Sequence, residues 1–221
     1  MSLLRYVRIF PGTLIWIFSF DFGMIFGFRI NKKASHPFIY IVMVHRYFYL
    51  LLASLFLSFG NMEEAKVAYI KTYLPLAIKE QKRSGIPVSI KLAQAFIESN
   101  GGTSVLASRA NNHFGIKCKS YWTGDRYFYT DDDRDADGNL VPSCFRMYDS
   151  ASDSFEDHSN FLMQSDRYNE LFTYERSDYK KWANGLLKCG YATDSMYANK
   201  LIEVIEKYAL QQYDRENFRD N

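Results

Sequence analysis

The sequence predicts a mainly α-helical chain with one small β-hairpin lobe, preceded by an apolar N-terminal segment. Three observations predict it. Apolar residues recur at helical spacing in several stretches after Ile86. An aromatic, strand-like run from Tyr127 to Tyr129 precedes a Gly138-Asn139 turn and a second strand-like run, Leu140 to Tyr148. The first sixty residues are far more apolar than the rest.

The N-terminal segment holds two apolar runs. Leu14 to Phe28 is interrupted by Ser19, Asp21, Gly23 and Gly27, and a polar gap with Arg29, Lys32, Lys33 and His36 follows. Tyr47 to Phe59 is the second run. Neither reaches the roughly 20 clean apolar residues of a membrane-spanning helix. The second reads as a secretory signal. Met43 is an alternative start, His45 and Arg46 form a basic flank, Tyr47 to Leu57 the apolar centre, and Ser58 and Gly60 a small-residue cleavage zone. An uncleaved membrane anchor, two tilted spans or a buried helix are the alternatives. The expected division is residues 1–60 as signal peptide or anchor and residues 61–215 as the working domain.

The run from Ile86 to Lys117 carries the chemistry. Pro87 suits a first helical turn, because its missing N–H costs nothing there. Val88, Leu92, Ala93, Phe96 and Ile97 give Ser89 to Ser99 one apolar face, and Gly101-Gly102 stops the helix. Glu98 then sits in the last turn, at the negative end of the helix dipole and next to Phe96 and Ile97. Dipole and desolvation both disfavour a carboxylate and raise its pKa. A general acid near neutral pH needs that shift. The competing reading is a solvated glutamate at a helix end.

Further helices follow the hairpin. Ser150 and Asp153 resemble a capping box, with Asp in place of the usual Glu or Gln, before Phe155, His158, Phe161 and Leu162, an apolar stripe in which His158 reads as a core histidine. Tyr179, Trp182, Ala183 and Leu186 mark the next helix, which Gly190 ends. Thr193 or Ser195 caps the last one, with Tyr197, Leu201, Ile205 and Tyr208 facing inward. The hairpin turn is acidic. Asp133, Asp135, Asp137, Gly138 and Leu140 match the start of an EF-hand loop, but Cys144 stands where a bidentate glutamate belongs and Pro142 spoils the exit. A solvated acidic turn is the better reading, and no metal is expected.

Composition sets outer limits. A chain of 221 residues allows one ordinary domain plus an extension. A net charge of +2 makes no electrostatic case for nucleic acid. Aromatics reach 17%, useful for stacking on sugar faces as well as for a core.

The segment LAQAFIESNGGTSVLASRANNHFGIKC, from Leu92 to Cys118, resembles the signature of the glucosaminidases that cleave peptidoglycan, glycoside hydrolase family 73. Further matches follow in order: Trp122 and Gly124, Thr130 before acids, Cys144-Phe145-Arg146 with Tyr148, Asp157-His158 with Phe161-Leu162, and Gly190 to Asp194. They span about Glu64 to Leu210. The resemblance implies a lysozyme-like helical fold with a small β-lobe, and an endo-acting enzyme that hydrolyses the β-1,4 bond after N-acetylglucosamine in peptidoglycan glycan strands. It places the general acid at Glu98. It places a second acid in the hairpin, at Asp131 or Asp132, where an aspartate is shorter than the usual glutamate. Carboxylates folded over Glu98 would raise its pKa further.

The resemblance also implies substrate contacts at Asn112, Phe114, Trp122 and Tyr191. Tyr191 either meets the sugar N-acetyl group, positions water or packs as a loop aromatic. Cys118 and Cys144 bracket the β-lobe. In an exported protein they would form a disulfide contributing on the order of 3 kcal/mol; two reduced thiols are the alternative. Cys189 is left over, expected to be buried. No cofactor is implied. The expected location is the cell envelope, with membrane association through the N-terminal segment and no known protein partner. A lytic transglycosylase and a non-catalytic wall-binding module are the rival functions.

Overall fold

The computed structural model describes residues 5–10, 13–19, 25–30 and 37–215. The chain divides into two compact units, Met1–Gly60 and Asn61–Asn221. In the first, strands β1 (Arg5–Phe10), β2 (Thr13–Ser19) and β3 (Ile25–Ile30) form an antiparallel meander, with Leu14 opposite Ile30 and Trp16 opposite Phe28. The first apolar run therefore supplies two strands. Its Ile, Phe, Trp and Thr content favours that state, and a short apolar run does not distinguish strand from buried helix by periodicity. Helix α1 (Pro37–Ser84) contains the second run. Among the described residues no helix is long and apolar enough to cross a membrane.

The second unit is built around helix α2 (Val88–Glu98). Apolar spacing predicts one buried face for this helix; the structure buries every residue from Val88 to Ala95. Val88, Ile90, Leu92, Ala93 and Ala95 are inaccessible, and so are Ser89, Lys91 and Gln94. A helix buried on all sides is a core helix, and its polar side chains require internal partners. Around it lie Tyr69, Ile70 and Ala77 of α1, and Phe155 and Leu162 of helix α4 (Ala151–Met163). Trp182, Ala183 and Leu186 of helix α5 (Tyr179–Lys188) and Ala198, Leu201 and Ile205 of helix α6 (Tyr197–Lys207) complete the shell.

The start of α2 is capped from far away. Pro87 gives no side-chain cap. Gln81 Oε1 accepts the Val88 N–H at 2.9 Å, and the Asp214 carboxylate accepts both the N–H and hydroxyl of Ser89, at 2.8 and 2.6 Å. These acceptors meet donors that a helix start leaves unpaired. The Ser150–Asp153 capping box is present at the start of α4. The last helix differs from expectation. Neither Thr193 nor Ser195 caps it; Met196 holds the cap position, and Asp194 Oδ1 accepts the Met196 N–H at 2.8 Å.

The hairpin pairs β4 (Arg126–Arg134) with β5 (Leu140–Arg146). Its register shifts between the Thr130–Pro142 and Arg134–Leu140 pairs. Residues 131–133 thus form a bulge within β4. A bulge bends its strand and re-aims its side chains. Cys118 and Cys144 form a disulfide, with Cα atoms 5.3 Å apart. Cys189 is free and half-buried rather than buried.

Candidate active site

Glu98 is the last residue of α2 and is half-buried. The chain leaves the helix through Asn100, Gly101 and Gly102, all at positive φ. A side chain at Gly102 would stand 2.5 Å from the Tyr69 ring, so this turn needs glycine for close approach as well as for φ. Ser99 fixes the turn from inside. It is fully buried, its Oγ accepts the Gly102 N–H at 2.8 Å, and it donates to the Tyr69 hydroxyl at 3.0 Å. The serine beside the acid is therefore a hinge pin. It ties the turn to α1.

The Glu98 pKa is raised, because burial penalises the carboxylate. The Tyr197 hydroxyl donates to Glu98 Oε1 at 2.9 Å, and this bond opposes the shift. Gln94 Nε2 donates to the same hydroxyl at 3.2 Å. Sequence reading placed Tyr197 only on an apolar face and missed its bond to Glu98, 99 residues away. Its position directly after the Gly190–Asp194 loop was the available signal. Tyr191 stacks on Tyr197, ring centroids 5.5 Å apart at 25°. Burial, then Tyr197 and the charge of Glu98, hold the Tyr191 phenol well above its ordinary pKa. Glu98, Tyr197 and Tyr191 thus share one site.

Among the described residues, burial and not a hairpin carboxylate raises the Glu98 pKa. Asp133 pairs with Lys117 at 2.6 Å and accepts from the Ser143 hydroxyl, which lowers its pKa. Asp135 caps its own turn, accepting the Asp137 and Asn139 N–H groups at 3.0 and 2.8 Å. Those bonds match the reading of an acidic turn. Asp131 is exposed on the bulge. The Asp132 side chain lies outside the described residues.

Two residues expected to touch substrate lie inside the protein. Asn112 is 1% exposed. Its Nδ2 donates to the Ile116 and Arg146 carbonyls at 3.0 and 2.8 Å, and its Oδ1 accepts the Ile116 N–H at 3.0 Å. Both Nδ2 protons are used: one closes the loop on Ile116 and the other fastens it to Arg146 of β5. Phe114 is 4% exposed and stacks flat under His158, centroids 3.9 Å apart at 8°. Both residues shape the site from behind. Trp122 is half-exposed, lies 4.7 Å from the Arg146 guanidinium, and donates its indole N–H to the Asp125 carbonyl at 2.9 Å. A Cβ at Gly124 would meet its ring at 2.5 Å, which gives that Trp-Gly pair a physical reason. Arg146 in turn holds Asp157 through Nη1 at 2.7 and 2.9 Å, and Tyr148 donates to Asp157 at 2.6 Å.

His158 is fully buried. Its Nδ1 lies 2.7 Å from Lys91 Nζ and its Nε2 3.0 Å from the Tyr191 hydroxyl. Lys91, also fully buried, donates to Ser159 Oγ at 2.8 Å as well. The apolar stripe predicts a core role for His158; its link to Tyr191 and to a buried lysine carries no sequence signal.

Residues 74–210 match the glucosaminidase family, described as mannosyl-glycoprotein endo-beta-N-acetylglucosaminidase, and the chain belongs to that family. It is 36% identical over 132 residues to the exo-glucosaminidase LytG of Bacillus subtilis, covering 58% of this chain and 46% of that one. It is 33% identical over 144 residues to the peptidoglycan hydrolase FlgJ of Vibrio parahaemolyticus, covering 63% and 46%. The chain spans about half the length of these curated relatives. Among solved structures, the catalytic domain of the Listeria monocytogenes autolysin Auto superposes with a TM-score of 0.60 at 28% identity, covering 67% of this chain and 87% of that one. The glycoside hydrolase domain of Salmonella typhimurium FlgJ gives 0.55 at 27% identity, covering 66% and 90%. The helical fold with its small hairpin is the lysozyme-like one.

Proposed function

We propose that this chain is a glycoside hydrolase that cleaves β-1,4 bonds in peptidoglycan glycan strands, with Glu98 as general acid. One observation carries the reading: a half-buried carboxyl group with a raised pKa stands at the end of the core helix, inside the residues that match the family. The names of the relatives, a glucosaminidase and peptidoglycan hydrolases, support the substrate class. Tyr197 occupies Oε1, which leaves Oε2 to carry the proton toward the departing glycosidic oxygen. As that bond breaks, positive charge grows at the anomeric carbon. A hairpin carboxylate, Asp131 or Asp132, stabilises it or activates water, or the substrate acetamido group attacks instead. Two carboxylates roughly 5–5.5 Å apart would favour a retaining path and roughly 6.5–9.5 Å an inverting one. Trp122 and Tyr191, both half-exposed, are the sugar-contacting aromatics of this reading.

Cleavage within the strand, rather than from its end, is part of the proposal, and so is an extracytoplasmic place of work. Residues 1–60 would deliver the domain there, as a signal or an anchor. The test is digestion of purified peptidoglycan by the chain and by Glu98→Gln, with mass spectrometry of the soluble products. Reducing N-acetylglucosamine ends are expected, and Glu98→Gln should lower kcat by about 10²–10⁴-fold. Products one water lighter would indicate a transglycosylase. Binding without fragments would indicate a wall-binding module. Long early fragments separate internal from terminal cleavage.

A further inference from the structure

A buried lysine with no carboxylate bonded to it is uncommon. Lys91 Nζ touches Ser159 Oγ at 2.8 Å, His158 Nδ1 at 2.7 Å and, more distantly, the Phe155 carbonyl at 3.5 Å. Ser159 Oγ already donates its own proton to the Phe155 carbonyl at 3.1 Å, so it meets Lys91 as an acceptor. An ammonium group has three N–H bonds for these three acceptors, and a neutral amine still has two for the two short contacts. As an ammonium, which has no acceptor, Lys91 donates to His158 Nδ1; burial disfavours that charge, and the donor role of Lys91 is part of what is proposed below.

That contact has a consequence at the other side of the ring. With Nδ1 accepting, a neutral imidazole carries its proton on Nε2. Burial and the neighbouring Lys91 both disfavour the imidazolium. The Nε2 proton then points at the Tyr191 oxygen, 3.0 Å away. The Tyr191 hydroxyl accepts there, so its own proton must turn elsewhere. The Tyr191 ring stacks on Tyr197, which itself bonds Glu98. The imidazole cannot rotate out of this arrangement, because Phe114 lies flat against it.

We propose that Lys91 and His158 are positioning residues that fix the direction of the Tyr191 hydroxyl and turn its proton toward the Glu98 side of the site. Lys91 lies two turns before Glu98 on the same rigid helix, so acid and orienting device move as one body. Tyr191 is then a fixed hydrogen-bond donor to the sugar or to the reacting water. This inference rests on the general-acid reading of Glu98.

A double-mutant cycle tests it. Lys91→Met keeps length and apolar volume but removes the donor. Kinetics of peptidoglycan digestion are measured for the full chain, Lys91→Met, Tyr191→Phe and the double variant, with a melting temperature for each. Lys91→Met should lower kcat about tenfold or more, the range seen when a group that orients a ligating or reacting residue is lost. KM should change little. In the Tyr191→Phe background, which is itself slowed, Lys91→Met should have no further effect. An equal loss in both backgrounds would make Lys91 merely structural and overturn the proposal. So would full activity of either single variant. If Lys91→Met does not fold, His158→Gln takes its place in the cycle with the same expectations. Failure of the underlying reading looks different: the unmutated chain releases no fragments, or Glu98→Gln keeps its activity.

Discussion

At the scale of single residues, Glu98 is set by two opposed influences, and the balance is testable. Burial raises its pKa and the Tyr197 bond lowers it. A general acid works while protonated, so kcat/KM should hold at low pH and fall as pH rises through the Glu98 pKa. Tyr197→Phe removes the bond that favours the ionised form. Hydrogen bonds to charged groups are worth about 1.5–3 kcal/mol, and 1.36 kcal/mol corresponds to one pKa unit. The alkaline limb should therefore move up by on the order of one pH unit in Tyr197→Phe. An unchanged limb, or one moved down, would remove Tyr197 from control of the acid. The glutamate itself was legible in the sequence, because helix spacing and the Gly-Gly stop place it locally. Its phenol partner was not, because the bond joins residues 99 positions apart. Asn112 and Phe114 misled for a related reason: residues of a site motif can shape the site without lining it.

At the scale of elements, α2 depends on a cap supplied by the far end of the chain. Asp214 is 2% exposed, and burial raises its pKa from the ordinary 3.8 to about 6. An acid whose folded pKa exceeds its unfolded one favours folding while protonated. Below about pH 4 both states hold the proton; between about 4 and 6 only the folded state does. The contribution of Asp214 to stability should thus fall as pH rises through that window, by up to about 3 kcal/mol, and then level off. Denaturant unfolding across pH 3–8 should show this slope as the difference between the natural chain and Asp214→Asn, because buried His113, its pKa lowered to about 4, contributes a slope of opposite sign to both. Asp214→Ala at pH 7 should cost about 1–3 kcal/mol, because the Ser89 donors lose their acceptor. A variant as stable as the parent would show that water replaces the cap. Helices α4 and α5 were readable from their apolar spacing and, at α4, from its capping box. The burial of Ser89, Lys91 and Gln94 on α2 was not legible, because periodicity reports which residues are apolar and not which polar ones find internal partners. The N-terminal strands and the long α1 escaped for the converse reason. Continuous apolar runs carry little periodic signal.

At the scale of the whole molecule, Asn61–Asn221 holds the core helix, its cap, the disulfide and every described member of the site. A fragment of residues 61–215 begins inside α1, which raises the question of what secures that helix when its first part is removed. Glu63 answers it in part: its carboxylate takes Lys207 Nζ at 3.0 Å and the Tyr208 hydroxyl at 2.9 Å, joining the new helix start to the end of α6. Tyr69, Ile70 and Ala77 follow and are buried in the core, and Tyr69 meets Ser99 beside the acid. Burial of that apolar face, more than the exposed ion pair, should keep the helix folded. We therefore expect the fragment to unfold in one cooperative transition and to digest peptidoglycan with the kcat of the full chain. Two transitions in the full chain and one in the fragment, followed by circular dichroism and tryptophan fluorescence, would agree with independent units. A fragment that binds peptidoglycan but turns over more slowly would instead tie the first sixty residues to the placement of Tyr69, and through Ser99 to the turn that carries Glu98.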